Sequence, residues 1–142
     1  MPVELGSVYS LVGGDAFFQR LVDLFYDRVE KDPILRPLFP PDLEPGKQWQ
    51  FLFLRQIFGG PTDYVAERGP PRLHKRHIPF PIGLEERNRW VNHMVESLAE
   101  AGVTPDNPVQ PIMEGYFSRM ATKMINKPVN DAELGGTALK VE

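Results

Sequence analysis

Large apolar residues recur every three to four positions along most of this chain, and no stretch alternates apolar with polar at period two. A repeat near 3.6 buries one face of a helix, whereas a repeat of two buries one face of a strand. The pattern therefore leaves an all-α architecture. Phe17, Phe18, Leu21, Val22, Phe25 and Val29 place a helix over residues 16–31, with Asp15 as its N-cap and Asp32-Pro33 as its stop. Gln50, Phe53, Leu54 and Ile57 place another over 47–58, ended by Gly59-Gly60-Pro61. Trp90, Val91, Met94, Val95 and Leu98 mark a helix opened by Gly83 and closed by Gly102, with Glu85 and Glu86 where the dipole favours anions. Asn107-Pro108 is expected to start the last, whose stripe of Ile112, Met113, Tyr116, Phe117, Met120, Met124 and Ile125 runs towards Pro128. Gly- and Pro-bearing linkers between such helices favour antiparallel pairs packed at an angle.

With 142 residues the chain is expected to form one domain over 1–128, followed by a loosely held tail over 129–142. A net charge of −3 gives no general attraction to nucleic acid or anionic membrane, so neither is expected as a partner. The absence of cysteine excludes disulfides, thiolate metal sites and covalently attached c-type haem. The first residues lack the basic start and apolar run of a signal peptide, and no apolar run approaches the roughly 20 residues of a membrane span. A cytoplasmic location is the expectation.

One stretch is unlike the rest. Pro70-Pro71-Arg72-Leu73-His74-Lys75-Arg76-His77-Ile78-Pro79-Phe80-Pro81 carries two of the three histidines between four prolines. Proline fixes its own φ and pushes the preceding residue towards extended geometry, so His77 sits at the stiff end of a very short helix. An imidazole held this firmly suits a metal. No carboxylate lies close enough to complete a divalent site with His74, and Lys75 and Arg76 would repel a bare cation. They suit a ligand that brings negative charge beside its metal. Residues 62–71, leading into this segment, read as a long irregular connection of a functional kind.

Three polar side chains stand on otherwise apolar stripes: Tyr26, Gln50 and Trp90. A buried unpaired hydroxyl or amide costs about 1–3 kcal/mol. Taken singly, Tyr26 and Trp90 are expected to reach a backbone carbonyl or each other. Taken together, on three helices with no charged partner, they point to a shared, exchangeable ligand. No H-E-x-x-H, G-x-S-x-G or phosphate loop is present.

From Val12 to Pro128 the chain resembles the truncated haemoglobins of group II. The resemblance rests on Phe25-Tyr26, Leu38-Phe39-Pro40, Phe58-Gly59-Gly60-Pro61, Arg72-Leu73, Arg76-His77-Ile78-Pro79-Phe80, and Glu86-Arg87 leading to Trp90. It implies a truncated two-over-two globin fold around haem b, with the proximal helix largely replaced by a loop. His77 is then the proximal iron ligand, and Tyr26, Gln50 and Trp90 are the distal polar groups. Phe39 is wedged against the porphyrin and Arg76 pairs with a propionate. Phe53, Leu54, Leu73, Phe80 and Met94 line the cofactor with Trp90, and Arg72 is a further contact. His93 and His74 are expected to be structural or peripheral. Gly46 falls where most globins place a distal histidine, so a side chain there does not gate entry.

The resemblance implies a five-coordinate iron open to O₂, CO or NO. Distal donors favour O₂, which takes on partial negative charge, and each charge-assisted bond contributes about 1.5–3 kcal/mol. Tight binding for sensing, scavenging or redox chemistry, rather than bulk transport, is the expected role. Peroxidase-like use of H₂O₂, or an NO dioxygenase activity with a reductase partner, is the alternative. A non-haem helical interaction module is the distant one. A monomer or homodimer is expected.

Overall fold

The computed structural model describes residues 3–69 and 81–126, and all regular structure among them is helical. A 3₁₀ turn over Leu5–Ser7 runs into α1 (Val8–Val12), followed by α2 (Asp15–Glu30) and a 3₁₀ turn over Arg36–Leu38. Then come α3 (Glu44–Ile57), α4 (Asp63–Arg68), α5 (Leu84–Glu100) and α6 (Gln110–Lys123). The expected tail, and the proline-bracketed segment from Pro70 to Phe80, lie outside the described residues.

The long helices follow their apolar stripes, but their starts differ from expectation in instructive ways. Asp15 does not cap α2: Gly14 is the N-cap residue, with no side-chain bond. The Asp15 carboxylate instead accepts from the Tyr9 hydroxyl at 2.6 Å and from Arg55 at 2.9 Å. A guanidinium and a phenol outbid the local amides, as charge-assisted bonds do. Helix α3 begins at Glu44, a turn earlier than expected, with Pro45 in its first turn. Asn107 does not open α6. Its Oδ1 accepts from the Val109 amide at 2.9 Å and closes a turn, and the helix starts at Gln110 with Pro111 in its first turn. In α5, Gly83 N–H donates to the Glu86 carboxylate at 2.7 Å, closing the N-terminus.

Residues 62–71 were expected to be irregular, yet Asp63–Arg68 forms α4. Six residues are too few to display a period. What holds them is tertiary: Tyr64 is 2% exposed, with its ring edge-on to Phe53 at 5.3 Å and Trp49 at 6.0 Å. The sequence marks α1 only by the Gly13-Gly14 pair that follows it. In the fold, the Tyr9 amide donates to Phe58 O at 2.8 Å. A Cβ on Gly59 (φ +102°) would fall 1.9 Å from Gly6 O, and one on Gly60 would fall 2.5 Å from the Tyr9 ring. The Gly59-Gly60 pair thus stops α3 and also supplies the flat surface on which the N-terminal turn lies.

Helix α2 is central, packing on α3 to one side and α5 to the other, with α6 against α5 and α4 against α3. Phe18, Phe25, Phe58, Phe117, Met94 and Met113 fill the core. No helix among the described residues is long and apolar enough to cross a membrane.

Candidate functional site

Of the residues singled out by the sequence, His77, His74, Arg72, Leu73, Arg76 and Phe80 lie outside the described residues. Those described stand around the meeting of α2, α3 and α5.

Tyr26 lies in the last turns of α2, 5% exposed, its ring edge-on to Phe25 at 5.5 Å and to Phe39 at 5.8 Å. Burial pushes its phenol up to about 12, so at neutral pH it is an O–H donor. The hydroxyl points at the start of α3, where a Cβ on Gly46 would stand 2.9 Å from it. Gln50 follows Gly46 by four residues and so lies on the same face of α3, above the hydroxyl's approach. Its Oε1 is buried and has no hydrogen-bond partner among the described residues. Trp90, in α5, is half-buried with its ring edge-on to Phe25 at 5.3 Å and Phe117 at 5.8 Å. Phe25 is therefore the ring that joins the Tyr26 and Trp90 positions. The sequence marks it only as one more core aromatic.

The expectation that Tyr26 and Trp90 are satisfied by a carbonyl or by each other is not met: neither polar atom has a hydrogen bond among the described residues. Three polar groups from three helices thus stand among aromatic rings with their hydrogen-bonding capacity unspent. A buried acceptor left unpaired costs about 1–3 kcal/mol, so a fold keeps Gln50 Oε1 in that state only where something else uses it. Tyr26 and Trp90 each offer a donor, and Gln50 offers both senses. Such a set suits a small ligand bearing negative charge.

Phe39 is delivered by a wound corner. Leu38 and Phe39 amides donate to Leu35 O and Arg36 O, and the Arg36 guanidinium folds back onto the carbonyls of Phe39, Pro40 and Pro41. Phe53, Leu54 and Met94 are buried, Phe53 against Tyr64 and Met94 one turn beyond Trp90. Arg55 bridges Asp15 and Asp63 with its side chain 11% exposed. His93 is structural, as expected: its Nε2 lies 2.7 Å from Asp32 Oδ2. Asp32 itself, read from the sequence only as a helix stop, is buried at the centre of a polar cluster. The Asp-Pro signal conceals it, because the same dipeptide ends helices with no partner at all. No group of three or more His, Asp or Glu among the described residues is placed to hold a metal ion.

The model of the bacterial-like globin family matches residues 7–126. A group 2 truncated hemoglobin of Bacillus subtilis (strain 168) is 36% identical over 114 residues, covering 80% of this chain and 85% of its own. Among solved structures, the hemoglobin from the thermophilic phototrophic bacterium Chloroflexus aurantiacus is 55% identical, with a TM-score of 0.81 over 85% of this chain and 98% of that one. A truncated oxygen-avid haemoglobin from Bacillus subtilis is 35% identical, with a TM-score of 0.79 over 84% of this chain and 99% of that one.

Proposed function

This chain belongs to the bacterial-like globins, as a group II truncated haemoglobin with the two-over-two fold, and from that premise we propose that it binds haem b and holds O₂ tightly for sensing, scavenging or redox chemistry. The observation that carries the reading is Gln50 Oε1, buried with no hydrogen-bond partner among the described residues, one helical turn from Gly46, whose missing Cβ would come within 2.9 Å of the Tyr26 hydroxyl. These are residues shaped around a ligand, and they fit the cofactor the family implies.

In this reading His77 would hold the iron, its second imidazole nitrogen available to a backbone carbonyl. Phe39, Phe53, Leu54, Leu73, Phe80, Trp90 and Met94 would line the porphyrin, and Arg72 and Arg76 would pair with its propionates. When bound, the haem supplies an iron with one position open to a diatomic gas. The chain's own contribution lies opposite. Tyr26 presents an O–H that stays protonated well beyond neutral pH. Trp90 presents an indole N–H that cannot be deprotonated or turned into an acceptor. Phe25, packed on both rings, holds the two donors in fixed relation. Charge-assisted bonds from fixed donors favour O₂ over the less polar CO. Two of them slow ligand escape by orders of magnitude, which suits retention rather than delivery. The oxygen-avid relative from Bacillus subtilis supports that direction.

The test is the absorption spectrum of the purified protein, with and without dithionite and CO, alongside His77→Gly. A Soret band that shifts with each addition is expected, lost or altered in His77→Gly and restored by added imidazole. A wild-type protein that takes up no haemin, or a variant with an unaltered ferrous spectrum, overturns the reading.

A further inference from the structure

We propose that Asp32 is the positioning residue of the distal pocket: one buried carboxylate that locks the corner carrying Phe39 and the helix carrying Trp90 into a single register. The inference rests on the reading of Tyr26, Gln50 and Trp90 as ligand-facing groups.

Asp32 follows the end of α2, and its side chain is 2% exposed. Oδ1 accepts from the amides of Ile34 (2.8 Å) and Leu35 (3.1 Å), and its carbonyl accepts from Arg36 N–H at 2.9 Å. These bonds wind the chain into the Arg36–Leu38 turn that ends at Phe39, which meets the Tyr26 ring at 5.8 Å. A helix stop would need nothing more. Yet the same carboxylate reaches across to α5: Oδ1 also accepts from Arg89 Nη1 at 3.1 Å, and Oδ2 pairs with His93 Nε2 at 2.7 Å.

Arg89 and His93 are four residues apart and flank Trp90. At about 100° per residue, Trp90 lies roughly 100° round the helix from one and 60° from the other. Gripping both fixes the rotation of α5 where it presents the indole. Burial alone would raise the Asp32 carboxyl. The bonds from His93, the two amides and Arg89 outweigh it and bring it down to about 2, so the carboxylate is ionised. The surrounding charges are spoken for: Arg89 also pairs with Glu85 at 3.1 Å, and Glu96 lies 3.8 Å from His93 Nδ1 and 3.9 Å from Arg28. Among the described residues, Asp32 is thus the one acceptor common to the Phe39 corner and the Trp90 helix.

The experiment uses the haemin-loaded full chain as wild type, Asp32→Asn, His93→Leu and His93→Gln. The readouts are the C–O stretching frequency of the ferrous carbonyl form, which falls when a donor points at the ligand, and the O₂ dissociation rate. Asparagine keeps the acceptor for the Ile34 and Leu35 amides but loses the charge and turns a donor towards α5. Asp32→Asn and His93→Leu are expected to move the C–O band to higher wavenumber and to speed O₂ release about tenfold, the equivalent of one such bond. His93→Gln, which can still donate to Oδ2, is expected to keep wild-type values. Unchanged band and rate in both disruptive variants overturn the proposal while leaving the haem reading standing. A wild type without a Soret band overturns that reading instead. Should Asp32→Asn lose helical circular dichroism, the two His93 variants decide the matter.

Discussion

The Tyr26 hydroxyl stands where a side chain at residue 46 would begin, with an ideal Gly46 Cβ only 2.9 Å from the hydroxyl oxygen and 3.7 Å from ring carbon Cζ. Backbone strain has no part in this, because Gly46 is an ordinary helical residue. The glycine is needed for close approach alone. Gly46→Ala should therefore gain up to about 1 kcal/mol in helix propensity and lose it again by displacing a buried hydroxyl. In a Tyr26→Phe background, where the nearest atom is 3.7 Å away, the gain should appear undiminished. Urea unfolding of the four proteins measures the coupling, expected at about 1 kcal/mol or more. Additive effects would show that the hydroxyl lies elsewhere.

Gln50 carries a buried acceptor that no donor among the described residues meets. Replacing it with methionine, of similar length and no polar need, should stabilise the haem-free chain by about 1 kcal/mol. The same change should loosen O₂ in the haem-loaded protein. A variant less stable than wild type without haem would mean that Oε1 has a partner in solution.

Trp90→Phe keeps an aromatic ring between Phe25 and Phe117 and removes the indole N–H together with part of the ring. We expect the O₂ dissociation rate to rise at least tenfold, about 1.4 kcal/mol, with CO release much less affected. Stopped-flow displacement of O₂ by CO measures the first rate. An unchanged value rejects Trp90 as a donor.

Acid should release the Asp32 cluster. The carboxyl is held down to about 2 in the fold against about 3.9 in an unfolded chain. Its contribution is thus complete above about pH 4 and fades as pH falls towards about 2. The shift is equivalent to about 2–3 kcal/mol. Unfolding free energy followed across that window should fall less steeply for Asp32→Asn than for wild type. Parallel curves would place the charge outside the stabilising network.

Four long helices were readable from spacing alone. Phe17 to Val29, Gln50 to Ile57, Trp90 to Leu98 and Ile112 to Ile125 repeat over about two turns or more, and Gly or Pro stands where each run stops. Tyr26, Gln50 and Trp90 were visible for a related reason: a polar atom on an apolar stripe is an exception that the local pattern itself exposes. The starts of α3 and α6 were displaced by a turn because proline is compatible with a first turn as readily as with the residue before it.

Sequence by itself determined what depends on near neighbours in the chain: the helical period, the breaks, and which polar groups would need partners. Only the tertiary structure decided the rest. Helices α1 and α4 are too short to be stable or periodic alone, and exist because Tyr9 and Tyr64 find distant surfaces. Asp15 chose Tyr9 and Arg55 over its own helix, and Asp32 gathered donors from about 60 residues away, as its 61-residue separation from His93 records. A hydrogen bond is satisfied by whichever group the packed fold brings within about 3 Å, and that choice is not written in any one segment.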